Sequence, residues 1–377
     1  MLKRSQFDLL SQLIACVSIS PDDNGAQALI HQYLKNIFSD KVEIIEKKIN
    51  QTTNSMINID FKNEKTVIFV GHTDVVPAQE SQWNTPPFKL TVVDNQLIGR
   101  GISDMKGAIV AFIAALENIF FDLKKECPNI CFLLTSDEEG SGKDGLQKLA
   151  STFNLKQDSI AIIGEPTSKL KVGDCAKIGR RGSLHCLLKL EGESYHVAYP
   201  GKNHPVYYIE DLIEQLKITD WDDGLVIDSF EPSSFQITKI ETEDSVENVI
   251  PSTLIIRFNI RYSPVTNLKK VEKILDKILE KIPLKKIINW KQGATPWISS
   301  LTNDDVKVIF KDLEIEQFTT DGGVSDGYKV YNFFTKKIIE IGLKHEKAHQ
   351  RNESILLEDF ERLMDIYQKI LINIQEK

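Results

Sequence analysis

The chain contains 377 residues, of which 41% are hydrophobic and 27% are charged. This composition is typical of a folded globular protein and excludes a disordered or fibrous chain. The 46 Lys and Arg residues against 54 Asp and Glu residues give a net charge of −8. That charge argues against a nucleic-acid-binding protein, which needs a basic surface to neutralise phosphates. The length predicts two domains or one large domain.

The N-terminal segment and the cysteines predict a cytoplasmic protein. Lys3 and Arg4 precede an apolar stretch, but Asp8 interrupts it and the apolar residues recur at helical spacing, so we expect an amphipathic helix and not a signal peptide. No apolar run reaches the roughly 18 residues of a membrane span. We interpret Cys127 and Cys131 as buried residues at the start of a strand, with half of a metal site as the alternative. The cysteines are few and irregularly spaced, as in a protein with reduced thiols: Cys16, Cys127, Cys131, Cys175 and Cys186.

The first half of the chain alternates between strand-like and helix-like segments. Short apolar runs at 66–70, 130–134 and 160–163 predict buried strands, and the segments 107–121 and 145–153 predict helices. This alternation is typical of a largely parallel sheet with helices on both faces. The sequence therefore predicts an α/β fold with loops at the strand ends.

The pattern changes after about residue 178, where strands with alternating polarity predict a half-exposed antiparallel sheet. We therefore expect a larger domain formed by 1–178 and 297–377, with a smaller α+β domain inserted at 179–296. The predicted strands of the inserted domain are 183–190, 234–240 and 254–262, and its predicted helices are 206–216 and 268–282.

Acidic residues and a histidine follow the apolar strands of the first half. His72 and Glu165 follow the first and third strands, Glu138 and Glu139 follow the second, and Asp104 follows a fourth, short strand and a glycine-rich turn. In open α/β sheets, ligands bind beyond the carboxyl ends of the strands, so we expect these side chains to converge. Histidine with several carboxylates is a ligand set for a divalent cation, with Zn²⁺ the leading candidate.

Other interpretations of the same residues remain open at this point. Asp104 precedes a helix and fits an N-cap, and consecutive carboxylates are usually solvated on a surface. The segment 140–145 matches the G-x-G-x-x-G pattern of a dinucleotide site, although the acidic residues before it would repel a pyrophosphate. Asp74 lies two residues after His72, on the same side of an extended segment, and could orient its ring.

Motifs along the whole chain resemble the co-catalytic zinc family of aminoacylases, carboxypeptidases and acyl-amino-acid deacylases. In the first half the resemblance rests on GHTDVVP (71–77), W-x-x-x-PF (83–88), GRGISDMKG (99–107), SDEEG (136–140) and GEP (164–166). In the second half it rests on GRRGSL (179–184), HVAYP (196–200), ENVIP (247–251), RFNIRYS (257–263), GGVSDG (322–327) and the H-x-x-N-E sequence that begins at His349.

The resemblance implies two Zn²⁺ ions in each subunit, with Co²⁺ able to substitute. His72 and Glu165 would bind one ion, Glu139 and His349 would bind the other, and Asp104 would bridge both. His345 is a competing ligand close by, but His349 is favoured because Asn352 and Glu353 follow it as in the family motif.

The resemblance also implies catalytic and substrate-binding roles. Asp74 would orient His72, Glu138 would be the general base, and His196 would stabilise the oxyanion in the active site of the partner subunit of a homodimer. An acidic small-molecule substrate would be bound by residues of the second half: Arg180, Asn248, Arg257, Gly322, Gly323 and Ser325.

The predicted reaction is hydrolysis of an amide bond by a metal-activated water molecule. The second-half motifs favour removal of succinate from an N-succinylated diamino dicarboxylic acid. Removal of an acetyl group from an amino acid and cleavage of dipeptides or C-terminal residues are alternatives within the family. A non-catalytic binding protein with the same fold is the alternative from another class, but the complete ligand set and Glu138 argue against it.

Overall fold

A computed structural model describes residues 2–123, 125–152, 159–228, 230–243 and 246–376. The chain divides into two compact units, which are described separately below. The first unit comprises Met1–Ile178, Ser299–Thr319 and Ser325–Lys377, and the second comprises Gly179–Ile298 and Thr320–Val324.

The helices and strands are numbered in chain order. The helices are α1 (Arg4–Ala15), α2 (Ala26–Phe38), α3 (Gly107–Glu117), α4 (Ile209–Ile218), α5 (Leu268–Leu279), α6 (Asn303–Ile309), α7 (Gly327–Phe333) and α8 (Leu357–Glu376). The strands of the first unit are β1 (Val42–Ile49), β2 (Thr52–Ile59), β3 (Thr66–His72), β4 (Thr91–Val93), β5 (Gln96–Ile98), β6 (Asn129–Thr135), β7 (Ile160–Ile163), β8 (Cys175–Lys177), β17 (Gln317–Thr319), β18 (Ile338–Glu340) and β19 (Ser354–Leu356). Those of the second unit are β9 (Gly179–Arg180), β10 (Gly182–Glu191), β11 (Tyr195–His196), β12 (Ser234–Glu241), β13 (Val249–Ile250), β14 (Thr253–Tyr262), β15 (Lys285–Gln292) and β16 (Trp297–Ile298).

An eight-stranded sheet in the order β1-β2-β6-β3-β7-β18-β8-β17 organises the first unit. Its centre is parallel: β3 pairs with β6 on one side and β7 on the other, and β18 extends the parallel run beyond β7. The predicted buried strands at the centre of this sheet are confirmed, since β3, β6 and β7 are buried almost throughout. The hairpin of β1 and β2 adds two antiparallel strands to one edge.

Apolar helices cover one face of this sheet. Every residue of α3 is buried, as expected for a helix that is apolar on all sides up to its last residue, Glu117. Phe69 of β3 contacts Phe112 of α3 at a ring-centroid distance of 4.2 Å. Residues of α1, α2 and α8 join the same hydrophobic core. The segment Leu146–Thr152 and α7 contact the sheet elsewhere. This segment is a 3₁₀ helix and lies where we predicted a helix at 145–153; residue 153 lies outside the described residues.

One predicted strand of this sheet belongs elsewhere. We expected the short apolar segment before Asp104 to be a strand of the open α/β sheet, but β5 pairs with β4 and β19 in a separate three-stranded antiparallel sheet. Two or three apolar residues do not specify which sheet a strand joins. Asp104 is therefore positioned by the loop that precedes α3 and not by the end of a strand in the main sheet.

The second unit is built on a four-stranded antiparallel sheet in the order β12-β14-β10-β15. Alternate residues of β10 and β14 are buried against α4 and α5, and Phe258 lies at the centre of that core. The other face carries polar residues, so the predicted half-exposed sheet is confirmed. A side-chain oxygen of Asn267 accepts the backbone N–H of Lys270 and caps α5.

The N-terminal helix and two of the buried thiols agree with the sequence predictions. The predicted amphipathic helix is α1, whose Leu10, Leu13 and Ile14 are fully buried. Cys127 and Cys131 are buried free thiols, as expected for core residues. In the part of the chain that the structure describes, we find no helix with the length and apolar character of a membrane span.

Candidate metal centre

The predicted ligands of the first unit converge at the carboxyl ends of its central strands. His72 is the last residue of β3, and Glu165 lies two residues beyond the end of β7. Glu138 and Glu139 follow β6, which pairs with β3 on its other side. The ends of three adjacent parallel strands thus bring these side chains to one edge of the sheet, as the sequence pattern predicted.

Asp104 lies between the two histidines, with one carboxylate oxygen facing each of them. Its Oδ1 is 3.0 Å from Nε2 of His72, and its Oδ2 is 3.3 Å from Nε2 of His349. The other neighbour of each imidazole is a glutamate: Glu165 lies 4.0 Å from His72, and Glu139 lies 2.7 Å from His349. This is the position of a bridging carboxylate, and Asp104 does not serve as an N-cap.

The donor atoms of these residues form groups with the spacing of metal sites. Three groups have ligand atoms that all lie within 4.8 Å of one another: His72 with Asp104 and Glu165, His72 with Glu138 and Glu139, and Asp104 with Glu139 and His349. Oxygen and imidazole nitrogen donors of this kind suit divalent cations of intermediate hardness. His345 is exposed and belongs to none of these groups of described residues.

Asp74 contacts the site mainly through the residues after β6. The Nδ1 of His72 donates to the backbone carbonyl of Asp74 over 2.9 Å, whereas the Asp74 carboxylate is 3.6 Å away. That carboxylate accepts the backbone N–H groups of Glu138 at 3.2 Å and of Glu139 at 3.0 Å. Asp74 therefore fixes the imidazole through its main chain and the two glutamates through its side chain.

Electrostatic interactions in the cluster favour bound positive charge. Burial raises the pKa of Asp104, but hydrogen bonds from His349 and His72 outweigh it and hold the pKa below its ordinary range. Hydrogen bonds to Asp104 and Glu139 raise the pKa of His349 to about 10. Burial lowers the pKa of His72, but Asp104 and Asp74 raise it well above its ordinary value. Protons on the two imidazoles thus balance the carboxylates, and divalent cations would replace those protons.

Glu138 differs from its neighbour Glu139 in its surroundings. Burial raises the pKa of Glu138 well above its ordinary value; the charge of His72 opposes this effect, and the carboxylate of Asp326 adds to it. The side chain of Glu139, in contrast, is paired with His349. A carboxylate with a raised pKa at a metal-binding group is suited to accept and return a proton.

The glycine-rich loop after Glu139 is not arranged to hold a pyrophosphate. The carboxylate of Asp137 accepts the backbone N–H groups of Ser141, Gly142 and Asp144 at 3.0 to 3.1 Å. These N–H groups are the donors that a dinucleotide would need. The dinucleotide interpretation is therefore not supported, because a side chain of the chain itself occupies the donors.

Two of the predicted substrate-binding segments meet within the second unit. Arg180 is buried, and its Nη1 donates to the carbonyl of Gly323 over 3.1 Å. Gly322 has a φ of +97°, and a Cβ there would lie 3.1 Å from the guanidinium of Arg180. A side chain at Gly322 would adopt a strained backbone conformation beside that guanidinium.

His196 and Asn248 also lie close together in the second unit. His196 pairs with Val249 in the short ladder of β11 and β13, and the carbonyl of Asn248 accepts the backbone N–H of Val197 over 3.1 Å. The imidazole of His196 is exposed and accepts the N–H of Ala198. The ladder thus holds the histidine and the asparagine as one structural element.

Two arginines of β14 have different surroundings, and the sequence prediction named only the first. Arg257 is exposed and lies 3.4 Å from Glu241. Arg261 is half-buried; burial and the charges of Arg181 and Arg180 lower its pKa. A guanidinium whose pKa is lowered by two neighbouring guanidinium groups is a candidate anion-binding group. The RFNIRYS motif contains both arginines, but the alternation of polar and apolar residues along the strand could not show which of them is suited to bind an anion.

Ser325 lies in the first unit and its hydroxyl is engaged. The side chain is buried, donates to the carboxylate of Glu340 and accepts the backbone N–H of Gly327. These contacts leave the hydroxyl a role in shaping the loop before α7.

Comparison with known proteins agrees with this geometry. Residues 68–373 match the model of the peptidase family M20/M25/M40. The chain belongs to this family. A protein from Buchnera aphidicola subsp. Cinara cedri named succinyl-diaminopimelate desuccinylase is 38% identical over 375 residues, which cover 97% of each chain.

Solved structures of the family share the fold. An M20 metallo-carboxypeptidase from Sulfolobus solfataricus aligns with a TM-score of 0.74 at 17% identity, covering 99% of this chain and 100% of that one. A dinuclear metal-binding M20 peptidase from Bacillus subtilis aligns with a TM-score of 0.70 at 12% identity, covering 99% of each chain. The predicted family, fold class and hydrolase chemistry are confirmed.

Proposed function

We propose that this protein is a succinyl-diaminopimelate desuccinylase, which hydrolyses N-succinyl-LL-2,6-diaminopimelate to succinate and diaminopimelate in lysine biosynthesis. The observation that supports metal-dependent amide hydrolysis is the position of the Asp104 carboxylate between His72 and His349, with Glu138 beside them. The name of the relative that matches nearly the whole chain supports the substrate. We also propose a cytoplasmic location, because the proposed reaction belongs to amino-acid biosynthesis.

The donor set fits two divalent cations, which we propose are Zn²⁺ with Co²⁺ able to substitute. His72 and Glu165 would hold one cation, Glu139 and His349 the other, and Asp104 both. When bound, the cations supply Lewis acidity that polarises the amide carbonyl and lowers the pKa of water. The residues of the chain carry out the remaining steps.

Glu138 would serve as the general base and then as the general acid. Its carboxylate accepts a proton from the attacking water and returns it to the nitrogen of the leaving amine. Asp74 holds the backbone of Glu138 and Glu139 in place. The two adjacent glutamates would thus have different roles: Glu138 would transfer a proton, and Glu139 would bind a cation.

Residues of the second unit would bind the substrate and the oxyanion. Arg180 and Arg261 present guanidinium groups suited to carboxylates, which they can grip with paired hydrogen bonds. Gly322, Gly323 and Asn248 of the second unit and Ser325 of the first unit remain proposed contributors to the substrate pocket. Arg257, which the sequence also indicated, pairs with Glu241, and we propose that it contributes least. We propose that residues 179–296 form a lid and dimerisation domain, and that 1–178 and 297–377 form the catalytic domain.

The first experiment compares substrates and metals. Chelated protein is titrated with Zn²⁺ while hydrolysis of N-succinyl-LL-2,6-diaminopimelate and of N-acetylornithine is measured. Activity that returns with about two Zn²⁺ per chain and favours the succinyl substrate supports the proposal. Preference for the acetyl substrate would identify a deacetylase, and full activity in chelated protein would exclude the metal chemistry.

A second experiment tests whether His196 acts across a homodimer. His196→Ala is expected to lower kcat by about 100-fold or more, as for loss of an oxyanion donor. When it is mixed and refolded with Glu138→Gln protein, hybrid dimers carry one site with both residues intact, so part of the activity returns. Absence of recovery in mixtures that form dimers would contradict action across the interface.

A further inference from the structure

Glu353 lies four residues after His349 and is almost completely buried, with 1% of its surface exposed. Its carboxylate accepts four hydrogen bonds from the loop that carries Asp104. Oε1 accepts the backbone N–H groups of Ser103 at 2.8 Å and of Asp104 itself at 3.2 Å. Oε2 accepts the backbone N–H of Gly101 at 2.9 Å and Nη1 of Arg100 at 2.8 Å.

Further contacts join the same two segments. The carbonyl of Glu353 accepts the backbone N–H of Gly99 over 3.0 Å, and Nη1 of Arg100 also donates to the carbonyl of Gln350. The Arg100 guanidinium lies 5.1 Å from the ring centre of Trp83. Residues that follow His349 therefore close around the loop that precedes Asp104.

These contacts bear on the two ligands that the main sheet does not position. His72 and Glu165 are placed by adjacent strands of the sheet, β3 and β7. Asp104 and His349 lie in loops instead, and the backbone N–H of Asp104 itself is bound by Glu353. The loop of Asp104 begins at Gly101 with a φ of +83°, and His349 has a φ of +61°. Neither conformation would be selected by regular secondary structure.

We propose that Glu353, supported by Arg100, is a positioning residue of the metal centre that fixes Asp104 relative to His349. The inference rests on the proposed function in that it requires two bound cations. Among the described residues, Glu353 belongs to none of the candidate metal-binding groups, and its carboxylate contacts Asp104 through the backbone N–H. Its loss would displace Asp104 and His349 together, while His72 and Glu165 would keep their places on the sheet.

The proposal predicts unequal effects on the two cations. The cation held by Glu139 and His349 should bind more weakly without Glu353, because two of its three ligands lose their support. The cation held by His72 and Glu165 should be affected less, because only its bridging ligand moves. Residues that orient metal ligands typically change metal affinity by about 10–100-fold when they are replaced.

The test substitutes Glu353→Gln in the full-length protein. The glutamine keeps the size of the side chain, but its amide NH₂ group must face N–H donors of the loop. Chelated protein is titrated with Co²⁺ by calorimetry and by visible absorption, which report the two binding events without turnover. We expect a loss of about 10–100-fold at the site of Glu139 and His349 and a smaller loss at the site of His72 and Glu165.

Glu117→Gln is the matched control in the same unit. Glu117 is also buried and accepts hydrogen bonds from Gln6 and Tyr33, and it belongs to none of the candidate metal-binding groups found among the described residues. It should lower the melting temperature and leave both Co²⁺ affinities unchanged. Equal affinities of Glu353→Gln and the unaltered protein, or equal losses in both variants, would overturn the proposal.

Arg100→Met provides a second variant should Glu353→Gln fail to fold. It removes one of the four donors and keeps the three backbone N–H groups, so a smaller loss at the site of Glu139 and His349 is expected. Unchanged Co²⁺ binding in this variant would overturn the inference. Failure of the unaltered protein to bind two cations would instead refute the proposed function, so the two failures are distinguishable.

Discussion

The metal-binding cluster of the first unit and the arginine cluster of the second, Arg180 with Arg181 and Arg261, are built in opposite ways. In the first unit, most of the cluster lies at or just beyond the ends of three adjacent parallel strands: His72, Glu138, Glu139 and Glu165. In the second, Arg261 projects from within a long antiparallel strand, β14. Parallel strands bring functional groups to one edge by topology alone, whereas an antiparallel strand specifies only the face on which a residue lies.

The two clusters also have opposite charge. Carboxylates dominate the first, and the pKa of His349 rises to about 10 in response. Guanidinium groups dominate the second, and the pKa of Arg261 falls. Each cluster is therefore suited to a ligand of the opposite charge: cations for the first and anions for the second. The predictions below test this division, beginning with the largest expected effect.

Glu138→Gln should abolish turnover and leave metal binding nearly intact. The amide cannot accept a proton, so kcat should fall by about 10²–10⁴-fold, while all five proposed cation ligands remain: His72, Asp104, Glu139, Glu165 and His349. Steady-state kinetics and metal analysis of the purified variant provide the measurement. Near-full activity in this variant would refute its assignment as the base.

Arg261→Ala should impair substrate binding far more than Arg257→Ala. A charge-assisted hydrogen bond contributes about 1.5–3 kcal/mol, so kcat/KM for the succinyl substrate should fall by about 10–100-fold for Arg261→Ala. Arg257 faces Glu241 at the exposed surface, where ion pairs contribute little, and its replacement should have almost no effect. If the two variants ranked in the reverse order, the anion site would include Arg257 instead.

Cation binding should release about two protons at pH 7, because the protonated His72 and His349 must become neutral to act as ligands. Calorimetry in two buffers of different ionisation enthalpy measures this release, and His349→Asn should reduce it by about one proton. The raised pKa of His349 also stabilises the metal-free fold. That contribution is present below about pH 6.5 and is lost as pH rises through about 10. Cation binding without proton release would contradict these protonation states.

Sequence patterns predicted the central strands well and the peripheral ones poorly. β3, β6 and β7 are continuous apolar runs and are buried almost throughout. Such short apolar runs are typical of the central strands of a parallel sheet, so the sequence was enough to predict them. The β1 and β2 hairpin mixes polar with apolar residues and was not identified. The strand β5 was assigned to the wrong sheet, because so short a segment acquires its partners only in the folded chain.

The same contrast holds for functional residues. His72, Glu138, Glu139 and Glu165 follow strong strands, so the sequence indicated that they would meet. The contacts of the Asp74 carboxylate with the backbone after β6 were not expected, since no pattern links them. The surroundings of Arg261 likewise depend on neighbours from other strands.

The amino-acid sequence by itself determined the α/β class, the family and the set of residues able to bind cations, because apolar runs and the motifs after them are local properties of the chain. Only the tertiary structure decided that Asp104 stands between two histidines and that Glu353 closes around its loop. Those arrangements depend on hydrogen bonds between segments far apart in the chain, and such bonds exist only after the sheet has brought the segments together.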